Sequence, residues 1–184
     1  MSNVDQARVL DFWFRELTPA DWFEAGESLD PLVRERFSAL HQQAASGGLE
    51  EWADSPLGRL ALILVLDQFS RHIHRGTPRA FASDRRAQEL ALEGIEAGMD
   101  THLSFGQRHF FYMPLMHAED PELQRLSMER FNQLKNFAEQ LLVFARDHQS
   151  EIERFGRFPY RNAALGRPDT AAETEYMQTR EGMR

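Results

Sequence analysis

Apolar residues recur along the chain at three- and four-residue steps, and no segment alternates with period two between hairpin turns. The pattern predicts helices over about residues 4–16, 31–46, 56–75, 84–97, 105–113, 121–133 and 136–155, short turns at 19–24 and 50–53, and a last helix from Thr170. Thr18-Pro19, Asp30-Pro31, Ser55-Pro56, Thr77-Pro78 and Asp120-Pro121 each place a capping oxygen before a proline that loses no N–H at a helix start. Gly47, Gly48, Gly76, Gly98 and Gly156 follow helical runs and suit left-handed C-terminal caps. Thr170 and Glu173 have the spacing of a capping box. The expected fold is all-α: a single domain over residues 1–184, of about eight or nine helices with short connections, with residues 176–184 as a frayed tail. No internal repeat is visible.

The segment PLGRLALILVLDQFSRHIHRG, residues 56–76, is the most informative. Its first half is apolar nearly all round, the mark of a buried helix. In its second half Leu62, Leu66, Phe69 and Ile73 keep one apolar stripe, while the neighbouring stripes turn polar at Asp67, Gln68, Arg71, His72 and Arg75. Two readings of that end compete. Either the helix emerges into water with Asp67 and Arg71 as an i,i+4 pair, or Asp67 orients Arg71 inside a cleft. On residues 136–155, His148 falls on a stripe with Phe137, Leu141, Phe144, Ile152 and Phe155, which predicts a core histidine behind any site. MPLMHAEDP, residues 113–121, reads as a break; His117 beside Glu119 can do acid–base work there, and Asp120 suits a helix cap.

Charge and composition narrow the picture. The chain has 184 residues, a formal net charge of −8 and no cysteine. Thiolate metal sites, disulfides and a cysteine nucleophile are excluded. Net acidity argues against nucleic-acid binding. The longest apolar run, residues 60–66, is far short of a membrane span, and Asp5, Arg8 and Asp11 interrupt the N-terminus, so no secretory signal or membrane association is expected and the protein reads as cytoplasmic. His72 and His74 are two apart and flanked by arginines, a poor metal pair; no metal and no cofactor is expected.

Against this acidity stands RFGRFPYRNAALGR, residues 154–167, with four arginines and no acidic residue. Pro159 rules out simple helix continuation. Arg157, Arg161, Asn162 and Arg167 then offer forked donors that match carboxylate or phosphate. The competing role for these arginines is structural, tying carbonyls and acidic side chains together.

Together with LDQFSRHIHRG (66–76), YMPLMHAEDPELQ (112–124) and VLDFWF (9–14), this stretch resembles the bacterial family called domain of unknown function 924. The resemblance implies an all-α fold related to tetratricopeptide-like right-handed superhelices and no established activity. Its pattern includes Asp67, Gln68, Arg71, Arg75, His117, Glu119, Arg157, Arg161, Asn162 and Arg167.

Three functions follow as expectations. The first is binding of an anionic small molecule or peptide carboxylate by Asp67, Gln68, Arg71, Arg75, Arg157, Arg161, Asn162 and Arg167. The second is a metal-independent hydrolase or transferase acting on an anionic metabolite, with His117 as base and Glu119 as its orienter. The third is a helical scaffold for a protein partner, for which Trp22, Trp52 and Phe111 are the aromatic candidates.

Overall fold

A computed structural model describes residues 2–181, which contain helices and no strand. The chain divides into two compact units, residues 1–134 and 135–184. α1 (Ser2–Asp11) continues through a π-turn, Phe12–Glu16. α2 (Pro19–Phe23) and α3 (Asp30–Ala45) follow. The central helix is continuous in three parts: α4 (Pro56–Ile63), a π-turn (Leu64–Phe69) and α5 (Ser70–Ile73). Then come α6 (Asp84–Glu96), α7 (Phe105–Met116), α8 (Pro121–Phe155) and α9 (Ala171–Glu181).

The all-round apolar run of α4 is buried as its pattern requires. Leu60 through Leu66 are at most 1% exposed. α1, α6 and α7 pack on α4, and α3, α6 and α7 on the π-turn. Phe12, Phe37 and Phe69 meet in tilted and edge-on contacts at 4.6–5.9 Å between ring centres, and Trp13 meets Phe110 edge-on at 5.3 Å. Each full burial of such a side chain contributes roughly 1.5–3 kcal/mol. At Gly58 an added Cβ would lie 2.4 Å from the carbonyl oxygen of Trp52, so only glycine lets the 50–54 turn approach α4 this closely.

Four of the five capping prolines open their elements, and Pro31 is the second residue of α3. Ser55 and Asp120 cap as expected: Ser55 Oγ accepts from the Gly58 N–H at 3.2 Å, and Asp120 Oδ1 from the N–H groups of Glu122 and Leu123 at 2.9 and 3.0 Å. Asp30 does not cap. Its carboxylate, 6% exposed, receives Arg75 and His72 from the end of α5. Arg75, expected to bind a ligand, is thus the strap between α5 and the start of α3.

Several expectations are corrected. The helices at 121–133 and 136–155 are one, because nothing in the intervening Leu134-Lys135 breaks a helix. α7 runs three residues past residue 113, since Pro114 near a C-terminus removes a single bond. The described part of the expected tail, residues 176–181, is helical; residues 182–184 lie outside the described residues. His148 is exposed, with Phe144 O as the partner of its Nδ1, and Leu141, Phe144 and Ile152 on the same stripe are 54, 62 and 41% exposed. Trp52 and Phe111 are fully buried, and Trp22 is half-buried against Trp13 and Phe110, so none of the three forms an open aromatic groove. No helix among the described residues is long and apolar enough to cross a membrane.

The Asp30 strap makes a direct prediction. Bonds from Arg75 first, and from His72, hold the Asp30 carboxyl below its ordinary range against the opposing effect of burial. A carboxyl lowered in this way stabilises the fold above its unfolded pKa, and the contribution is lost as pH falls through the folded value. Asp30→Ala should cost roughly 2 kcal/mol in urea unfolding at pH 7, the scale of hydrogen bonds to a charged group, and less at pH 3.

Candidate functional site

The π-turn of the central helix carries a charged residue at full burial. Asp67 is 0% exposed. A charge there persists only if it is paired and hydrogen-bonded. Three donors meet it. Arg71 NH1 lies 3.0 Å from Oδ1, Gln68 Nε2 donates to Oδ2, and the Nδ1 of His117 lies 2.9 Å from Oδ1. π-turns within α-helices are frequent at functional sites, and this one presents both Asp67 and the neighbouring Gln68 to one another.

His117 is the C-terminal cap residue of α7, with its backbone N–H on Met113 O at 3.0 Å. Its imidazole is 22% exposed. With a carboxylate accepting from Nδ1–H, Nε2 is the ring nitrogen that carries the lone pair. The carboxylate bonded to the His117 ring is therefore Asp67, fifty residues earlier, and not Glu119. Glu119 is exposed and lines the same cleft.

Arg71 is held on three sides. NH1 and NH2 each lie 2.9 Å from an oxygen of Asp84, NH1 also reaches the Asp67 carbonyl at 2.9 Å, and the guanidinium sits 5.4 Å from the Phe81 ring centre. The cleft in front of these groups has a volume of about 730 Å³. Arg71, Arg85, Asp84, His117, Glu119 and Asp120 line it, with Phe81 and Gln88. The emerging-helix reading of residues 67–71 is thus replaced by the cleft reading. Among the described residues no three His, Asp or Glu side chains converge as a metal would need.

Residues 9–181 match the family of bacterial proteins of unknown function DUF924. The chain belongs to the DUF924 family. A solved structure of a protein of unknown function from Agrobacterium tumefaciens is similar at 36% identity, with a TM-score of 0.69, covering 97% of this chain and 99% of that one. No curated protein matches it.

In this DUF924 chain the arginine-rich stretch lies in the second unit, where several of its donors are engaged and the buried Nε of Arg167 has no partner. Arg157 Nε and NH2 grip Glu173 at 2.6 and 2.8 Å, and NH2 also reaches Pro168 O at 3.0 Å. Asn162, 1% exposed, donates to Asp169 at 2.7 Å. Arg161 stacks 4.5 Å over Phe158 and bonds the Tyr160 hydroxyl, and Arg167 NH2 bonds Phe158 O at 3.3 Å. The Thr170–Glu173 capping box forms, so one carboxylate both caps α9 and receives Arg157. Arg157 here acts as a clamp that ties the loop after α8 to the start of α9, while Arg161 and Arg167 bond groups within the stretch itself.

Sequence reasoning missed Asp84, Phe81, Arg85 and Gln88. Asp84 reads locally as a first-turn helix residue, and nothing in its neighbourhood announces that it pairs with Arg71 thirteen positions earlier.

The clamp has an acid limit. Arg157 first, then the Thr170 N–H, hold the Glu173 carboxyl at about 2, below its ordinary 4.5. Its contribution is complete above pH 4.5 and fades as pH falls toward 2. Protection of residues 157–176 against hydrogen exchange, taken relative to the intrinsic rate at each pH, should fall across that window in the wild type. In Glu173→Gln it should already be low at pH 6 and change little on acidification.

Proposed function

We propose that this DUF924 chain is a hydrolase or transferase whose acid–base group is His117. The observation that carries the reading is the 2.9 Å contact between His117 Nδ1 and a fully buried Asp67, with the imidazole edge at a cleft. A carboxylate in this position fixes the tautomer, aims Nε2 and stabilises the imidazolium that forms when Nε2 takes a proton. Nε2 then removes the proton of a water or of a substrate hydroxyl as that oxygen attacks, and returns it to the leaving group. Arg71, locked between Asp67 and Asp84, keeps its Nε–H and one NH2 hydrogen for an oxygen of the substrate that gains charge. Holding the guanidinium in advance removes reorganisation from the reacting step.

The cleft limits the substrate. Three carboxylates, Asp84, Glu119 and Asp120, face two guanidiniums, Arg71 and Arg85. A polar molecule with at most one anionic group fits that balance, and a polyanion does not. An anion pocket on the 156–167 stretch has weaker support, because Glu173 and Asp169 already occupy Arg157 and Asn162.

Two measurements test this. The ¹⁵N spectrum of the imidazoles should show His117 as the Nδ1–H tautomer, and Asp67→Asn should abolish that preference. In a screen of chromogenic esters, amides and phosphomonoesters, any turnover should fall roughly 10²- to 10⁴-fold in His117→Asn that melting curves show to be folded at the assay temperature. Turnover that survives this substitution would remove His117 from the mechanism.

A further inference from the structure

A second groove in the first unit has the opposite electrical character. It has a volume of about 660 Å³ and is bounded by α3 on one side and by residues 73–83 on the other. Arg34 and His41 face it from α3; His74, Arg79 and Ser83 face it from the opposite wall. No acidic residue lines it. Several arginines elsewhere in this chain of 29 acidic and 21 basic residues are taken by carboxylates, as in Arg36–Glu16, Arg75–Asp30 and Arg86–Glu50. Among the described residues neither Arg34 nor Arg79 has an ion pair. Arg34 makes one long bond, from Nε to Ile73 O at 3.4 Å, and the Arg79 guanidinium makes none.

The histidines strengthen the case. His41 is 6% exposed, and its Nε2 is buried without a hydrogen-bond partner. Leaving such a group unsatisfied costs about 1–3 kcal/mol. Its ring meets that of His74 edge-on, 5.1 Å between centres. Burial lowers the pKa of both; His74 lowers that of His41 further, and Arg79 and Arg34 do the same to His74. Four basic side chains therefore converge with no counter-charge supplied by the groove walls.

We propose that this groove is a subsite for a phosphate group carried by a small molecule, with Arg34 and Arg79 as charged donors and His41, His74 and Ser83 as hydrogen-bonding partners. An oxyanion at the centre neutralises the facing guanidiniums and takes hydrogen bonds from the His74 ring and the Ser83 hydroxyl. The remaining volume, walled by Ala45, Ile73 and Ala82, holds the uncharged part of the molecule. The groove shares no lining residue with the His117 cleft, so the two readings stand or fall separately.

The test is a titration of the full chain with inorganic phosphate at constant ionic strength, set with sodium chloride. The imidazole Cε1–H signals of His41 and His74 report it. Both should shift saturably, and their pKa values should rise by about one pH unit at saturating phosphate. Arg79→Gln and, separately, Arg34→Gln should each weaken binding about tenfold, the scale of one charge-assisted contact. Arg146→Gln, which removes the same charge in the other unit, should bind as the wild type does. A phosphomonoester that binds more tightly than inorganic phosphate identifies an organic carrier, and equal affinity identifies the free ion. Shifts that do not saturate, or that chloride alone reproduces, overturn the proposal. So does wild-type affinity in both arginine variants once melting curves show them folded; both positions are exposed.

Discussion

A carboxylate with no contact to water is the constraint on which the first unit is built. Asp67 interrupts the most apolar helix of the chain and cannot reach solvent. A lone buried charge costs several kcal/mol, so the surrounding elements must bring donors to it. α5 supplies Arg71, the π-turn supplies Gln68, and the end of α7 supplies His117. Arg71 in turn requires Asp84 from the start of α6. One buried group thereby fixes the register of three helices around a cleft, and the same bonds that satisfy it orient the imidazole.

Arginine is used in three distinct ways. Some guanidiniums close the fold: Arg75 on Asp30 and Arg157 on Glu173 each join the end of one helix to the start of another. Arg71 is both strap and cleft wall, because its fork is shared between Asp67 and Asp84 while its outer edge stays at the opening. Arg34 and Arg79 belong to neither group, and the absence of a carboxylate in their groove separates them from the rest. Residue type alone cannot sort these roles, since all are drawn from the same twenty arginines in a chain with a single lysine.

Membership in DUF924 and the likeness to the Agrobacterium protein agree with an all-α chain, and both leave the chemistry open. The site has to be argued from its own groups. The two clefts of the first unit differ in charge balance, one mixed and one wholly basic, and so favour different ligand groups.

Helix positions were legible in the sequence because they rest on local physics: apolar period, capping oxygens and prolines that lose no N–H. The capping box at Thr170 and Glu173 and the cap at Asp120 formed where their spacing placed them. The polar end of the central helix was legible for the same reason, and so were Asp67, Arg71 and His117 as candidates. What each touches was not legible. Asp67 meets His117 across fifty residues, Arg71 meets Asp84 across thirteen, and Asp30 meets Arg75 across forty-five. Such pairings are set by which helices pack together, and hydrophobic packing carries no record in the local sequence of the charged partner it delivers. The stripe through Leu141, Phe144 and His148 shows the limit from the other side. Its spacing is that of a buried face, yet burial is a property of neighbours, and those residues stay exposed. The sequence by itself determined an all-α chain and a short set of chemically able residues; the tertiary structure alone decided which of them are straps and which face a cleft, because that depends on distances between segments far apart in the chain.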